Sequence, residues 1–348
     1  MAKRVVVFGG AGFIGSNLSK NLLDDGKHVV VFDSLARRGS ELNLAWLQQL
    51  QSPGRLEFIR GDVRDSKAVA SAVKHADEIY HLAAQVAVTT SVEDPRTDFE
   101  VNALGTLNVL EAARQSGNHP RLVFTSTNKV YGGLEDVETL EEDSSYGFRD
   151  LPLGIPESQP LDFHSPYGCS KGAADQYVRD YHRIYGLSTV VFRMSCIYGP
   201  RQFGNEDQGW VAHFIIASLT GEPLTIYGDG KQVRDVLFVD DLVRAFRTAT
   251  AKIDVTAGQV FNIGGGSSNA LSVWREFATY LAALKGEEIP ARFARWRPGD
   301  QPCYISDIRK AKRVMGWSPE VDKETGIRRL WDWVGSNSHL FRKLRKTG

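Results

Sequence analysis

Short runs of β-branched and aromatic residues recur through the first half of the chain. They are RVVVF at 4–8, HVVVF at 28–32, LEFI at 56–59, EIYHLA at 78–83, RLVF at 121–124 and STVVFR at 188–193. Between them lie stretches with helical spacing: SNLSKNLLDD, AVASAVKHA and FEVNALGTLNVLEAARQSG. The runs are apolar at consecutive rather than alternate positions, which predicts parallel strands covered on both faces. Strands that alternate with helices in this way predict an α/β fold with a doubly wound parallel sheet. The alternation stops near residue 132. Residues 133–164 are acidic, contain prolines and lack a clear period, so they read as a long loop over the active-site edge. Beyond residue 197, turns such as YGPRQFG, IYGDGKQ, NIGGGSS and RPGDQP separate short elements. This predicts a first domain over 1–196 and a smaller α/β lobe over 197–340, with some segments returning to the first domain.

Composition narrows the partners. Lys plus Arg and Asp plus Glu are both 42 in 348 residues, so the net charge is zero and neither nucleic acid nor an anionic membrane is expected as a partner. No apolar run reaches the roughly 18 residues of a membrane span. MAKRVVVFGG passes straight into a strand and does not read as a signal peptide. Three cysteines, Cys169, Cys196 and Cys303, fit no zinc spacing, which predicts reduced thiols, no metal and a cytoplasmic protein. Cys169 is expected to pack, His81 to be a core histidine, RRLWDWV to be a packed amphipathic helix, and FRKLRKTG to be a frayed tail.

The first strand is followed by GGAGFIG. Gly9, Gly12 and Gly15, with Phe13 and Ile14 between them, form a turn that lets a pyrophosphate reach the N-terminus of the next helix. Asp33 closes the second strand, where a carboxylate accepts from both hydroxyls of an adenosine ribose and repels a 2′-phosphate. The pattern predicts a Rossmann-type sheet and selects NAD over NADP, although Arg37 and Arg38 follow closely. Asp62 is placed to reach the adenine, its competing role being the N-cap of the next helix, with Val63 as a packing and backbone contact. Ala83 and Ala84 end the fourth strand with little bulk, and Gln85 points on toward the substrate.

SPYGCSKGAADQYVRDYHRIYG, 165–186, reads as one helix in which Tyr167 and Lys171 share a face. A tyrosine titrates near 10, and the lysine cation beside it, with the positive ring of bound NAD, is expected to favour phenolate. Thr127, at the end of the RLVF strand, would share the reacting oxygen. Lys171 would also hold the nicotinamide ribose.

With these motifs in place, the chain resembles the extended short-chain dehydrogenases/reductases that modify nucleotide sugars. The likeness runs through Asn102 in NALGT, STNKVYG, YGCSK, YGPRQ, GDGKQVRDVLFVDDL, FNIGGG and RPGDQ. It implies a catalytic set of Thr127, Tyr167 and Lys171, a tightly held NAD recycled in each turnover, Asn102 on the cofactor side, and a homodimer or homotetramer paired through the Tyr/Lys helix and the one before it. The 4,6-dehydratases of this family carry Asp-Glu where this chain has Asn128 and Lys129. An amide and an ammonium do not replace that acid and base, so elimination is not expected. STNKVYGGLEDV, PLDFHSPYGCSKGAADQYVRDY, TVVFRMSCIYGPRQF and EDQGW resemble the branch that inverts C2 of CDP-deoxysugars. That implies a nucleotide-sugar substrate, a CDP-sugar by preference. The alternatives are a UDP-glucose/galactose type 4-epimerase and a non-catalytic NAD-binding protein. In the second lobe, Arg234 and Arg297 match the family's phosphate-binding arginines, the competing assignment being ion pairs with Asp235 or Asp300. Gln85, Asn128, His164, Cys196, Gln208, Tyr227, Gln232 and Asp300 complete the substrate-side candidates.

Overall fold

The computed structural model describes residues 2–297 and 300–346, so Pro298 and Gly299 of the RPGD motif, and Thr347 and Gly348 of the tail, lie outside the described residues. The main sheet has seven parallel strands in the order β12-β8-β5-β4-β1-β2-β3. They are β1 (Arg4–Phe8), β2 (His28–Asp33), β3 (Arg55–Arg60), β4 (Glu78–His81), β5 (Arg121–Thr127), β8 (Thr189–Met194) and β12 (Val260–Ile263). The last of these comes from the second half of the chain.

Why the strands lack an apolar–polar alternation is visible in the packing. Val5, Val7, Val29, Val31 and Phe192 fill the core on one side of the sheet. Val6, Phe8, Val30, Phe32 and Phe124 fill the core on the other. Successive side chains point to opposite faces, and both faces are buried. The sheet order reverses at β1 and β4. Ligands of open α/β sheets bind at such a switch point, beyond the carboxyl ends of the strands.

The helices of the first half are α1 (Phe13–Asp24), α2 (Ser40–Gln48), α3 (Ser66–Val73), α4 (Val88–Glu93), α5 (Pro95–Phe99), α6 (Gly105–Gln115) and α7 (Ser165–Tyr185). The spacing predicted one helix from Phe99 onward. Instead α5 and α6 are joined by a π-helical turn over Glu100–Leu104. Such wide turns often occur at functional sites, and this one carries Asn102.

The second lobe is built on β11 (Val233–Phe238). It pairs with β13 (Ala270–Ser272), β15 (Cys303–Tyr304) and β9 (Cys196–Tyr198). A separate pair, β10 (Leu224–Tyr227) and β14 (Ala291–Ala294), lies alongside. Residues 133–164, expected as a loop, contain the hairpin β6 (Thr139–Glu141) and β7 (Tyr146–Phe148). The segment is packed as a strap. Leu134, Phe148 and Ile155 share a core with Val130 and Tyr131 after β5 and with Val233 and Tyr304 of the lobe.

The C-terminal stretch also differs from the expected frayed tail. Ser338–Lys346 is helical, and Phe341 is buried against Trp333 of the preceding helix, Lys323–Ser336, and against Phe203. Among the described residues, no helix is long and apolar enough to cross a membrane.

Candidate active site

The glycine turn lies between β1 and α1. Gly9 has φ of +76°, and a Cβ there would come within 2.8 Å of the Ala83 amide nitrogen. A Cβ on Gly15 would collide with the Gly9 carbonyl oxygen. These two glycines are needed by the chain itself. Gly12 is different. A Cβ on it would meet only the Gly9 carbonyl, at 3.2 Å, so the side facing away from the protein is open. Phe13 and Ile14 open α1, half-buried. Asp33 is buried at the strand end, and its carboxylate accepts from Ala11 N at 3.0 Å and Leu35 N at 2.8 Å. Burial raises its pKa against those bonds. Each oxygen keeps a lone pair for a further donor. Arg37 and Arg38 are exposed, and Arg38 donates to the Leu344 carbonyl of the C-terminal helix.

The competing role for Asp62 is removed. Asp65 is the N-cap of α3, accepting from Lys67 N and Ala68 N. Asp62 is held by Arg64, with contacts at 3.0 and 2.7 Å, and that pairing lowers its pKa. The Val63 carbonyl accepts from Asn108 at 2.9 Å. Ala83 and Ala84 follow β4, half-buried.

Asn102 takes on more work than its candidate role implied. Its side chain accepts from Gln85 N and donates to Gln85 O, Asp98 Oδ1 and Ser170 Oγ. Asp98 is fully buried and receives the Ser170 hydroxyl at 2.5 Å. Asn102 thus ties the loop after β4 to α7. Asp98 and Ser170 were not singled out from the sequence. Their signal was weak: a carboxylate one turn before Asn102, and a serine beside Lys171. The Gln85 amide donates to Ala87 O at 2.8 Å, leaving its buried Oε1 without a partner among the described residues.

The helix α7 starts with Ser165 accepting from Gly168 N at 3.2 Å and Pro166 in the first turn, and ends at Gly186 in the left-handed region. Tyr167 and Lys171 are buried on its inner face, and Ser91 Oγ accepts from Tyr167 N. The Thr127 side chain is the polar group that favours ionisation of the Tyr167 phenol. Of the hydroxyls at the end of β5, Thr127 is the one that acts on the phenol. Ser126 donates to Asp175 at 2.8 Å, and Thr125 donates to His81 O. His81 is buried, with Nε2 on Thr106 and its pKa pushed down to about 3 by burial.

Here the electrostatics depart from expectation. Burial pushes Tyr167 up to about 12, outweighing the lowering effect of Thr127. Lys171 is not turned to the phenol. Its ammonium donates to Thr125 O at 2.6 Å and lies 4.2 Å above the Phe124 ring. Burial pulls its pKa down to about 7, against the pull of Asp175 and Asp98. The chain alone therefore supplies the pair but not the phenolate. Cys169, expected to pack, is exposed, because position i+2 from Tyr167 turns to the outer face.

On the substrate side, Asn128 Oδ1 accepts from Thr127 at 3.3 Å, and Lys129 is half-buried just beyond. Cys196 accepts from Trp210 Nε1 at 3.4 Å. The lobe candidates form two groups. Arg297 lies 3.9 Å over the Tyr227 ring, and Gln232 donates to the Tyr227 carbonyl at 2.6 Å. Arg234 is nine-tenths buried and paired with Asp300 at 2.8 Å. Arg297 pairs with Glu206 and Asp207 rather than with Asp235 or Asp300. Gln208 is held by its backbone to Asn205. His164 is exposed and paired with Asp162 at 2.8 Å.

A glycine cradle at the switch point of a seven-stranded parallel sheet, with a buried Thr–Tyr–Lys set beside it, defines an extended short-chain dehydrogenase/reductase. The model of the GDP-mannose 4,6 dehydratase family matches residues 6–330, and the chain belongs to that family. Within it, the chain is 44% identical over 342 residues to the CDP-paratose 2-epimerase of Salmonella typhi, covering 96% of this chain and 99% of the relative. Two solved structures share the fold. The UDP-glucose 4-epimerase of Thermotoga maritima, solved with UDP-glucose, is 30% identical with a TM-score of 0.81, over 98% of this chain and 99% of the other. The dTDP-glucose 4,6-dehydratase of Streptomyces venezuelae, solved with NAD, is 32% identical with a TM-score of 0.82 over the same shares.

Proposed function

We propose that the chain is an NAD-dependent epimerase that inverts C2 of a CDP-deoxysugar, CDP-paratose or a close variant. The observation that carries this reading is the 44% identity, across nearly the full length of both chains, to a CDP-paratose 2-epimerase. The site supports it. Thr127, Tyr167 and Lys171 stand together, and no carboxylate follows Thr127 to assist loss of water.

Gly9, Gly12 and Gly15 would hold the pyrophosphate, Asp33 the adenosine ribose, and Lys171 the nicotinamide ribose. NAD, when bound, supplies the acceptor and donor of the C2 hydrogen. Tyr167 takes the proton of the C2 hydroxyl as that carbon is oxidised and returns it when the carbonyl is reduced from its other face. Thr127 shares the same oxygen and fixes its place. Asn128 holds Thr127 without exchanging a proton. Arg234 and Arg297 would hold the diphosphate as guanidinium forks, and Tyr227 and Gln232 the nucleoside end.

We further propose a homodimer or homotetramer in the cytoplasm. Phe99, Leu104, Tyr177, Ile184 and Tyr185 are exposed on α5, the π turn and α7, an apolar surface suited to pairing. Cys169, Cys196 and Cys303 are free thiols. The runner-up is a 4-epimerase, since the same Thr–Tyr–Lys set would serve it. Purified protein should be incubated with CDP-paratose and with UDP-, GDP- and CDP-hexoses, and the products read by NMR. Inversion at C2 is expected. Inversion at C4 alone would sink the reading.

A further inference from the structure

The loop after β2 starts at Asp33 and ends at Gly39, where α2 begins. Its first turn sets the Asp33 carboxylate, which accepts from Leu35 N at 2.8 Å, with Leu35 in the left-handed region at φ +58°. A bulky residue stays in that conformation only when its surroundings fix it. The far end of the loop is fixed from the second half of the chain. Gly39 has φ of +91°, and a Cβ on it would collide with the Phe203 ring. Arg38 donates to the Leu344 carbonyl of the C-terminal helix. The glycine-turn side is held from the same direction. Asn17 of α1 donates to the Phe13 carbonyl at 2.9 Å and to the Pro200 carbonyl at 3.0 Å. Asn43 of α2 donates to the Arg201 carbonyl at 3.2 Å. The Arg201 guanidinium lies 4.1 Å from the centre of the Trp46 ring and 5.7 Å from that of Trp333. Residues 200–203 thus touch the helix that follows the glycine turn and the helix that follows the ribose loop. Behind them stands Phe341, 4% exposed, its ring 5.6 Å from Phe203 and 5.9 Å from Trp333.

We propose that the C-terminal helix is a latch on the adenosine half of the cofactor site, acting through Phe341 on Phe203 and through Leu344 on Arg38. An enzyme that oxidises a carbon and then reduces it must keep its reduced cofactor between the two steps. Segments that close over a site and set its release rate are a common way to do so. The rival role is a plain cap on the core of the second lobe, to which Phe341 belongs. Two contacts cross to the other domain and favour the latch. They are the Arg38 bond to the helix and the Phe203 ring seated on Gly39. Phe341 would be a positioning residue. It holds the loop that carries Asp33 and takes no part in the chemistry.

This inference rests on NAD as the cofactor and not on which sugar or carbon reacts. The holoenzyme is freed of unbound cofactor by gel filtration, and the NAD it then releases is followed over time. Phe341→Ala should release NAD about 10- to 100-fold faster than wild type, because affinity differences at one site fall mainly on the off-rate. Its turnover without added NAD should fall in step, and saturating NAD should bring kcat back to within about twofold. Phe341→Leu keeps most of the apolar contact and should release NAD within about threefold of wild type. Arg38→Met changes one exposed side chain and should release NAD about two- to tenfold faster, the scale of a single hydrogen bond. Combined with Phe341→Ala it should add nothing, since both act through one helix. If Phe341→Ala does not fold, Arg38→Met decides, read beside an unchanged unfolding midpoint. Wild-type release by both variants overturns the latch. So does a Phe341→Ala that keeps its NAD yet stays slow at saturating cofactor, which makes the helix a cap on the lobe. Full additivity in the double variant also overturns it, since Arg38 would then act on the cofactor directly. If wild type binds no NAD, the NAD reading itself falls, and this inference with it.

Discussion

Arg193 and Lys171 are both buried cations beside the inner face of α7, and their surroundings differ sharply. Arg193 makes two bonds of 2.9 Å to Asp175 and a third to the Tyr131 hydroxyl. Tyr131 in turn donates to Asn262 on β12, which also binds Ile155 of the strap. Despite burial, Arg193 is driven further toward its charged form. Lys171 has one carbonyl and the face of Phe124, and burial brings it to about 7. The fold completes the shell of one cation and leaves the other short. The completed one locks the sheet, strap and helix together. The incomplete one is free to respond to whatever binds. Lys129, half-buried and with no side-chain hydrogen bond or ion pair among the described residues, is of the second kind.

The largest expected effect separates the two by replacement. Lys171→Met should lower turnover by about 10² to 10⁴, the usual range for a group that assists proton transfer. It should leave the unfolding midpoint unchanged or higher, because an under-paired buried charge is removed. Loss of the cation should also make Tyr167 harder to ionise, so the residual rate should recover as pH rises. A midpoint that falls steeply would erase the contrast with Arg193.

Asp175→Ala tests the other side. It strands Arg193 in the interior and should cost about 3–5 kcal/mol of stability, read by denaturant unfolding. The fraction that remains folded should keep its binding of NAD. If stability hardly changes, the shell around Arg193 is not structural.

Much of this contrast could be read only from the structure. The glycine turn, Asp33, Thr127 and the Tyr167–Lys171 pair were legible because each is a local pattern on a single element. So were the strands, whose consecutive apolar residues announce burial on both faces. The Asp175–Arg193–Tyr131–Asn262 chain was not. Its members sit on four separate segments, and each alone looks like an ordinary polar residue. One signal was present: Asp175 falls one turn after Lys171, on the same stripe as Tyr167, so it had to share their buried face. The strap was misread as a loop because its order comes from partners such as Val233 and Tyr304, which lie far beyond it in the chain. The π turn had no sequence mark at all.

The comparison extends to the substrate side through the double variant Asn128→Asp with Lys129→Glu. It should abolish C2 inversion without gaining efficient dehydration, because C2 rather than C4 would still face Tyr167. NMR of the products decides it, and clean dehydration would mean that the sugar lies the other way round.

The smallest effect is a slope. Lys171 has a folded pKa of about 7, below its ordinary value near 10.5. Between those values the unfolded chain binds more protons than the folded one, so stability should rise with pH from about 7 toward 10.5 on account of this group. Below about 7 both states hold the proton and the contribution is flat. Lys171→Met should show a shallower rise than wild type between pH 7 and 9. Equal slopes would mean that Lys171 is better paired than its surroundings show.

The central claim is that the hydrogen of C2 leaves and returns within one active site while Tyr167 handles only the hydroxyl proton. CDP-paratose carrying deuterium at C2, turned over in ordinary water, tests it directly. The inverted C2 should keep its deuterium, and Tyr167→Phe should not invert it at a comparable rate. Loss of the label to solvent would contradict it, since C2 would then have been inverted by removal of a proton.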